Sequence, residues 1–350
     1  MTKVVTKVAE FIRWRDWGPG KIPFLCSVLF YIGLANRQFS PTFIIEFVLF
    51  TVFAIANAAF GYVVNDWGDR ELDALHGKRN AFKDLTYSQG LIALTVLVVI
   101  AFLSGLPFVL RPRVPLLWGL WAFFTCAYSL KPFRLKERGA WGLSVSALAQ
   151  WSLPTFLAFA ALNRFGHYDM LMFVLAATIN GATLEIAHQR FDRTRDLSTQ
   201  TGTLGCRTSM GKLNRLYEIA LAMDKLGIGT ILIILSVSLS PMALDRWLIT
   251  GGLPLFIIYA VLLIVSFREM GQSAKNGRVY DPFYSSSRSA GKFLHETVPN
   301  LLLPIYLGGL ATLYYPLNGL LLAGFFTFRL ILGKADWAWP LKAVKSWYRR

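Results

Sequence analysis

Residues 43–64 read FIIEFVLFTVFAIANAAFGYVV, and the chain runs on without a break into Asn65-Asp66-Trp67-Gly68-Asp69-Arg70-Glu71-Leu72-Asp73. The first part is long enough to cross a bilayer as a helix, which takes about 20 apolar residues. The second part gathers acids at the end of that helix. Asp66, Asp69 and Asp73 stand at i, i+3 and i+7, and at about 100° per residue they lie within about 60° of one another on a helix. A solvated helix end seldom confines its acids to one face. Carboxylates gathered beside a membrane repel one another unless they are paired, solvated or bound to a cation. Hard oxygen donors of this kind suit Mg2+, which keeps several waters and fills its shell from substrate phosphate. Asn65 adds a neutral oxygen and two donors at the rim.

Outward from this stretch the whole chain reads the same way. It is 55% hydrophobic and 16% charged, with a mean hydropathy of +0.47, which belongs to polytopic membrane proteins rather than soluble enzymes. Candidate spans are 22–36, 43–64, 91–110, 114–130, 142–162, 168–187, 219–240, 247–267 and 297–315, with a shorter tenth at 317–332. The expected fold is all-α, a membrane bundle of nine or ten helices. Its divisions are an N-terminal amphipathic segment at 1–21, one membrane domain at 22–333 and a basic tail at 334–350. Residues 3–17 read as a short amphipathic helix on the membrane surface. The N-terminus lacks the pattern of a signal or transit peptide. Cys26, Cys126 and Cys206 show no paired spacing, so neither a disulfide framework nor a zinc site is indicated.

A net charge of +16 would admit nucleic acid as a partner, but its distribution argues against that. With the N-terminus inside, 24 of the 36 Lys and Arg residues fall in the cytoplasmic connections, and the outer ones hold only Arg37, Arg111, Arg113, Arg164 and Arg246. This is the positive-inside asymmetry. It points both acidic groups of the chain toward the cytoplasm and suggests the plasma membrane of a prokaryote.

The second acidic group is Arg190-Phe191-Asp192-Arg193-Thr194-Arg195-Asp196, at the end of the sixth span. Asp192 and Asp196 share a helix face at i and i+4. The interleaved Arg193 and Arg195 could form surface ion pairs, worth only a few tenths of a kcal/mol, or bind phosphate with their forks. The fourth span ends in Tyr128-Ser-Leu-Lys131-Pro-Phe-Arg134-Leu-Lys136-Glu-Arg138, which carries cations and a phenol to the same side; Lys78 and Arg79 follow the first cluster.

These residues resemble the UbiA superfamily of intramembrane prenyltransferases. Asn65-Asp66-x-x-Asp69-x-x-x-Asp73 matches that family's first motif. Asp192-x-x-x-Asp196, followed by Thr203-Leu204, is similar to its second, and Tyr128-Ser-x-x-Pro132-x-Arg134-Leu-Lys136 is similar to the element between them. The resemblance covers roughly residues 20–270. It implies a helical bundle around a central cavity and Mg2+-dependent transfer of an isoprenyl group from its diphosphate to an acceptor, within the membrane. It implies that Asp66, Asp69 and Asp73 hold one Mg2+ and that Asp192 and Asp196 hold a second. Asn65, Arg79, Arg134, Lys136, Arg193 and Arg195 would bind the diphosphate, with Tyr128 and Lys136 at the reacting centre. The chain departs from the family at Gln200, where a Gly is usual and Gly202 is displaced, and at Asn80, where Pro is common. An aromatic or quinone precursor, a chlorin and a lipid remain open as acceptors. Internal terpene cyclisation and phosphoribosyl transfer also remain open. A divalent-cation transporter would put its ionisable groups at mid-span, whereas these aspartates stand at span ends. Of the isolated groups, Glu185 stands seven residues before Asp192 and could line the cavity. His188 reads as structural, Glu46 lies near a span end, and the adjacent Asp224 and Lys225 read as interfacial.

Overall fold

The structure is a computed structural model and describes residues 3–199, 201–239, 246–284 and 289–332. The basic tail at 334–350 and Gln200 lie outside the described residues. The helices are α1 (Lys3–Phe11), α2 (Trp14–Ala35), α3 (Pro41–Leu75), α4 (Tyr87–Val109), α5 (Val114–Ser129) and α6 (Ala140–Ala161). They continue with α7 (Tyr168–Ser198), α8 (Met210–Leu239), α9 (Arg246–Lys275), α10 (Ala290–Tyr314) and α11 (Gly319–Leu332). Among the described residues eight helices are long and apolar enough to cross a membrane; α5, with 16 residues, and α11, with 14, are shorter.

Caps set the helix starts. Ser40 accepts from Phe43 N at 3.3 Å ahead of Pro41, whose fixed φ and missing N–H suit a first turn. Thr86 and Gln89 form a reciprocal capping box on α4. The helices alternate in direction, so the ends of α3, α5 and α7 meet the starts of α2, α6, α8 and α10 on one face of the bundle.

Burial sorts the helices by role. In α2, 78% of the spanning window is buried, against 22% in α4 and 17% in α9. The central α2 packs on α3, α6, α10 and α11, while α4 and α9 leave apolar side chains such as Ile92, Phe102, Ile257 and Val261 exposed for lipid. With 35 and 31 residues, α3 and α7 are the longest helices. At 1.5 Å per residue α3 is about 50 Å long against a hydrocarbon core of about 30 Å, so its last turns stand clear of the lipid. Those turns carry the first acidic cluster.

Three expectations are corrected. The first span starts at Trp14 rather than at residue 22, with Trp14 and Trp17 buried in the core, so the surface helix is only Lys3–Phe11. Lys21, read as part of a cytoplasmic basic segment, lies inside the bundle. Asp224 and Lys225 are not interfacial, being 1% and 0% exposed. Asp224 accepts from Asn180 at 3.0 Å and pairs with His295, while Lys225 reaches Met270 Sδ at 3.0 Å and the rings of Phe267 and Tyr280.

The helices α6 and α10 each contain a widened π-helical stretch, at Leu148–Ser152 and Phe293–Leu302. Pro154 follows the first after one residue, Leu153, and it has no N–H for the carbonyl of residue 150. The wide turn carries Gln150 and Trp151.

Candidate active site

The chain turns back after α3 and lays residues 78–82 along the first acidic cluster. Asp66, 2% exposed, accepts from Ala81 N at 3.0 Å and from Arg13 Nη1 at 2.9 Å. Arg13 also donates to Asp16 at 2.9 Å. Asn80 donates to Asp73 at 2.8 Å and to the Asp66 carbonyl at 2.7 Å. Asn80 therefore ties together the first and last acids of the motif. Arg79 faces away and donates to the Glu10 carbonyl at 2.8 Å.

Asp69, the middle acid, meets the segment that follows α5. Lys136 Nζ lies 2.5 Å from Asp69 Oδ2 and 2.9 Å from Asn65 Oδ1, and Ser129 Oγ donates to the same Asn65 oxygen at 3.0 Å. Arg134 spreads its fork over Asp69 Oδ1 (2.8 Å), the Gly68 carbonyl (3.0 Å) and Glu137 (2.7 Å). Burial lowers the pKa of the Lys136 ammonium from its ordinary value, against the opposing pull of the Asp69 carboxylate.

The same segment reaches the second cluster. Gly139 N donates to the Gly202 carbonyl at 3.1 Å, Gly139 and Thr203 pair as an isolated bridge, and Arg207 donates to the Glu137 carbonyl at 3.1 Å. Two close approaches clamp it. A Cβ on Gly68 would lie 2.7 Å from the Ser129 carbonyl oxygen, and one on Gly202 would lie 2.4 Å from that of Glu137. The displaced glycine of the sequence thus has its own contact. Asp196 lies near Asp192, Lys78 and His188, with Thr203 Oγ1 at 3.5 Å. Asp192 pairs with Arg195 at 2.5 Å and with His188 at 3.4 Å. Lys78, from the turn beyond the first cluster, therefore lies within electrostatic reach of the second.

The structure thus gathers Asn65, Asp66, Asp69, Asp73, Arg134 and Lys136, and on the opposing helix Asp192, Asp196 and Arg195. It turns Arg193 elsewhere, to the carbonyls of Gly205 (2.8 Å) and Thr208 (3.4 Å), where it holds the loop after α7. Tyr128 is half-buried near Ser146, Glu185, Tyr62 and Asp69. The loop at 281–284 folds over the end of α7. Asp281 accepts from Arg190 (3.3 Å) and Tyr217 (3.1 Å), and Tyr284 stacks on Phe191 at 4.5 Å. Burial and the nearby Asp192 carboxylate push the Tyr284 phenol up to about 12. Among the described residues no group of three or more His, Cys, Asp or Glu side chains closes into a cage. The donors are carboxylate and amide oxygens in two opposed groups, each shared with cations.

Sequence reading missed Arg13, Lys21 and Gln150. Arg13 and Lys21 were hidden in a basic N-terminal count. Gln150 did leave a signal, as an uncharged polar residue inside an apolar span.

No curated protein matches the sequence. The fold is similar to that of a UbiA homolog from Archaeoglobus fulgidus bound to GPP and Mg2+, with a TM-score of 0.57 and 14% identity over 87% of this chain and 99% of that one. It is similar also to digeranylgeranylglyceryl phosphate synthase, with a TM-score of 0.52 and 14% identity over 87% of this chain and 99% of that one. The sequence profile of the UbiA prenyltransferase family matches residues 24–287, three quarters of the chain. Together with the eight helices fit to cross a membrane among the described residues, this makes the chain an integral membrane protein that belongs to the UbiA prenyltransferase family.

Proposed function

We propose that this protein transfers an isoprenyl group from its diphosphate to an acceptor, at the mouth formed by the two acidic clusters. The carrying observation is Lys136, which reaches Asp69 and Asn65 while its own segment is bridged to the loop beyond Asp196. One short segment thereby holds cations between two groups of carboxylates, the arrangement that a diphosphate bound through metal requires.

The donor set fits Mg2+. The ion needs only one or two protein carboxylates and completes its shell from water and phosphate, so an open pair of clusters suits it better than a closed cage. In this reading Asp66, Asp69 and Asp73, supported by Asn65, hold one ion, and Asp192 and Asp196 hold another. When bound, Mg2+ supplies Lewis acidity to the diphosphate oxygens. Arg134, Lys136 and Arg195 neutralise the charge that grows on the leaving oxygens as the C–O bond breaks. Arg79 and Arg193 act by positioning, since both hold backbone carbonyls. Tyr128 presents a ring to the allylic cation, and the apolar bundle keeps water from it. The acceptor's nucleophilic atom bonds to the freed carbon, and its proton passes to a carboxylate of the second cluster. The catalytic unit is the bundle of residues 22–333 together with Trp14–Lys21. The charge census supports a mouth on the cytoplasmic side of a prokaryotic plasma membrane.

The test is Mg2+-dependent release of diphosphate from geranyl diphosphate by the purified chain in native lipid extract. Asp69→Asn and Asp192→Asn should each lower the rate about 10³-fold, or about 4 kcal/mol of barrier, while the protein remains folded in detergent. Full turnover by both variants, or by wild type in excess chelator, would overturn the reading.

A further inference from the structure

The segment that joins the two clusters has a second side. Inward, Arg134 and Lys136 both pair with Asp69, and Arg134 pairs also with Glu137. Outward, Lys131, Pro132, Phe133 and Arg138 are exposed. Arg138 Nη2 donates to the Pro132 carbonyl at 3.4 Å, which brings its guanidinium beside Lys131. Trp141, three residues on and in the first turn of α6, is 70% exposed.

The helix before the segment sets the depth of this outer side. With 16 residues α5 is about 24 Å long against a hydrocarbon core of about 30 Å, so the chain leaves the helix where acyl chains give way to phosphates. Leu116, Leu120 and Phe123 are exposed at i, i+4 and i+7 on α5, which marks the stripe that faces lipid. Phe133 packs edge-on against Phe123 at 5.9 Å and carries that stripe past the end of the helix. Bare rings beside cations are the composition of a membrane–water boundary, where the ring sits at head-group level and the cation reaches the phosphates. The acids near the segment are engaged on its inner side. Among the described residues no carboxylate pairs with Lys131 or Arg138.

We propose that Lys131 and Arg138, flanked by Phe133 and Trp141, form a seat for the phosphate of an anionic membrane lipid. The lysine supplies a point charge and the arginine a planar fork, which together suit a phosphodiester. Net negative charge selects among lipids, because the cation of a zwitterionic head group opposes both side chains. The two rings hold the depth by lying along the upper acyl chain. A lipid held here braces the outer side of the segment whose inner side reaches Asp69, Asn65 and, through Gly139, the loop beyond Asp196. Its part is support of the segment and not chemistry.

The test places a cysteine at the exposed Ala140, between Arg138 and Trp141, in the full chain with its native cysteines replaced. A bimane attached there is quenched by a nitroxide carried near the glycerol of phosphatidylglycerol or of phosphatidylcholine, in liposomes of otherwise equal composition. Half-maximal quenching should need about tenfold less of the anionic lipid. Lys131→Gln combined with Arg138→Gln should remove that preference, whereas Lys83→Gln, at an exposed cation on another loop of the same face, should keep it. Salt at about 1 M shortens the Debye length to about 3 Å and should weaken the preference in wild type, which decides the matter if the double variant does not fold. Free glycerol phosphate should not displace the lipid. Equal quenching by both lipids would overturn the proposal. So would a preference that survives the double substitution or high salt, its loss in Lys83→Gln, or displacement by glycerol phosphate.

Discussion

Arg134 shows what the site asks of a single side chain. Its guanidinium touches an acid of the first motif, a helix carbonyl and Glu137 at once, at 2.8, 3.0 and 2.7 Å. Lysine keeps the charge but offers a point rather than a planar fork, so it cannot hold three acceptors in fixed directions. Arg134→Lys should therefore lower kcat for diphosphate release about 10²-fold with little change in folding, because it loosens the geometry around Asp69. An unchanged kcat would show that charge alone suffices there. The aspartates of both clusters were legible as residues because their cost beside a membrane is high and their spacing is regular. Arg13 and Lys21 were not. A cation near an N-terminus is ambient in a positive-inside protein, and only the third dimension shows that Arg13 reaches across 53 residues to Asp66 and Lys21 across 129 to Gln150.

At the scale of the element, the informative piece is the segment Ser129–Gly139, which is neither a span nor a free loop. It links the clusters because a glycine on either side lets its carbonyls come close. Gly202→Ala would drive a methyl group into the Glu137 carbonyl, and the loop beyond Asp196 would have to withdraw. The expected outcome is a loss of about 10- to 100-fold in kcat/KM for the donor with the spans intact, measured as diphosphate release beside helicity by circular dichroism. Wild-type kinetics would mean that the bridge is dispensable. Helix existence was legible throughout, since hydrophobic runs of this length admit little else. Helix ends were less so. The first span begins eight residues before the apolar pattern does, because Trp14 and Trp17 bury their rings against Phe328 and Tyr62, and sequence periodicity does not register such distant partners. The π-helical turn that carries Gln150 and Trp151 was not legible either, because a proline within an apolar run signals a kink without saying which side chains it turns inward.

For the whole molecule, both clusters share one end of the bundle, as the loop charges predict. Single cysteines at Lys83 and Lys212, in a chain whose native cysteines are replaced, should react with a membrane-impermeant maleimide in inverted vesicles and not in right-side-out ones. A cysteine at Arg113 should behave oppositely, and the reverse pattern would invert the topology. The other end of the molecule holds polar ties among its described residues. Tyr31 and Arg164 both donate to the buried Asp169, at 2.5 and 2.7 Å, Arg164 also holds Asn36 at 2.9 Å, and Arg111 pairs with Glu46. In an energised membrane an elementary charge that crosses the whole bilayer gains or loses about 2.3 kcal/mol per 100 mV. A diphosphate bound, cleaved and released at the cluster end, as proposed above, never makes that crossing, so the proposed chemistry neither draws on a membrane gradient nor leaks it.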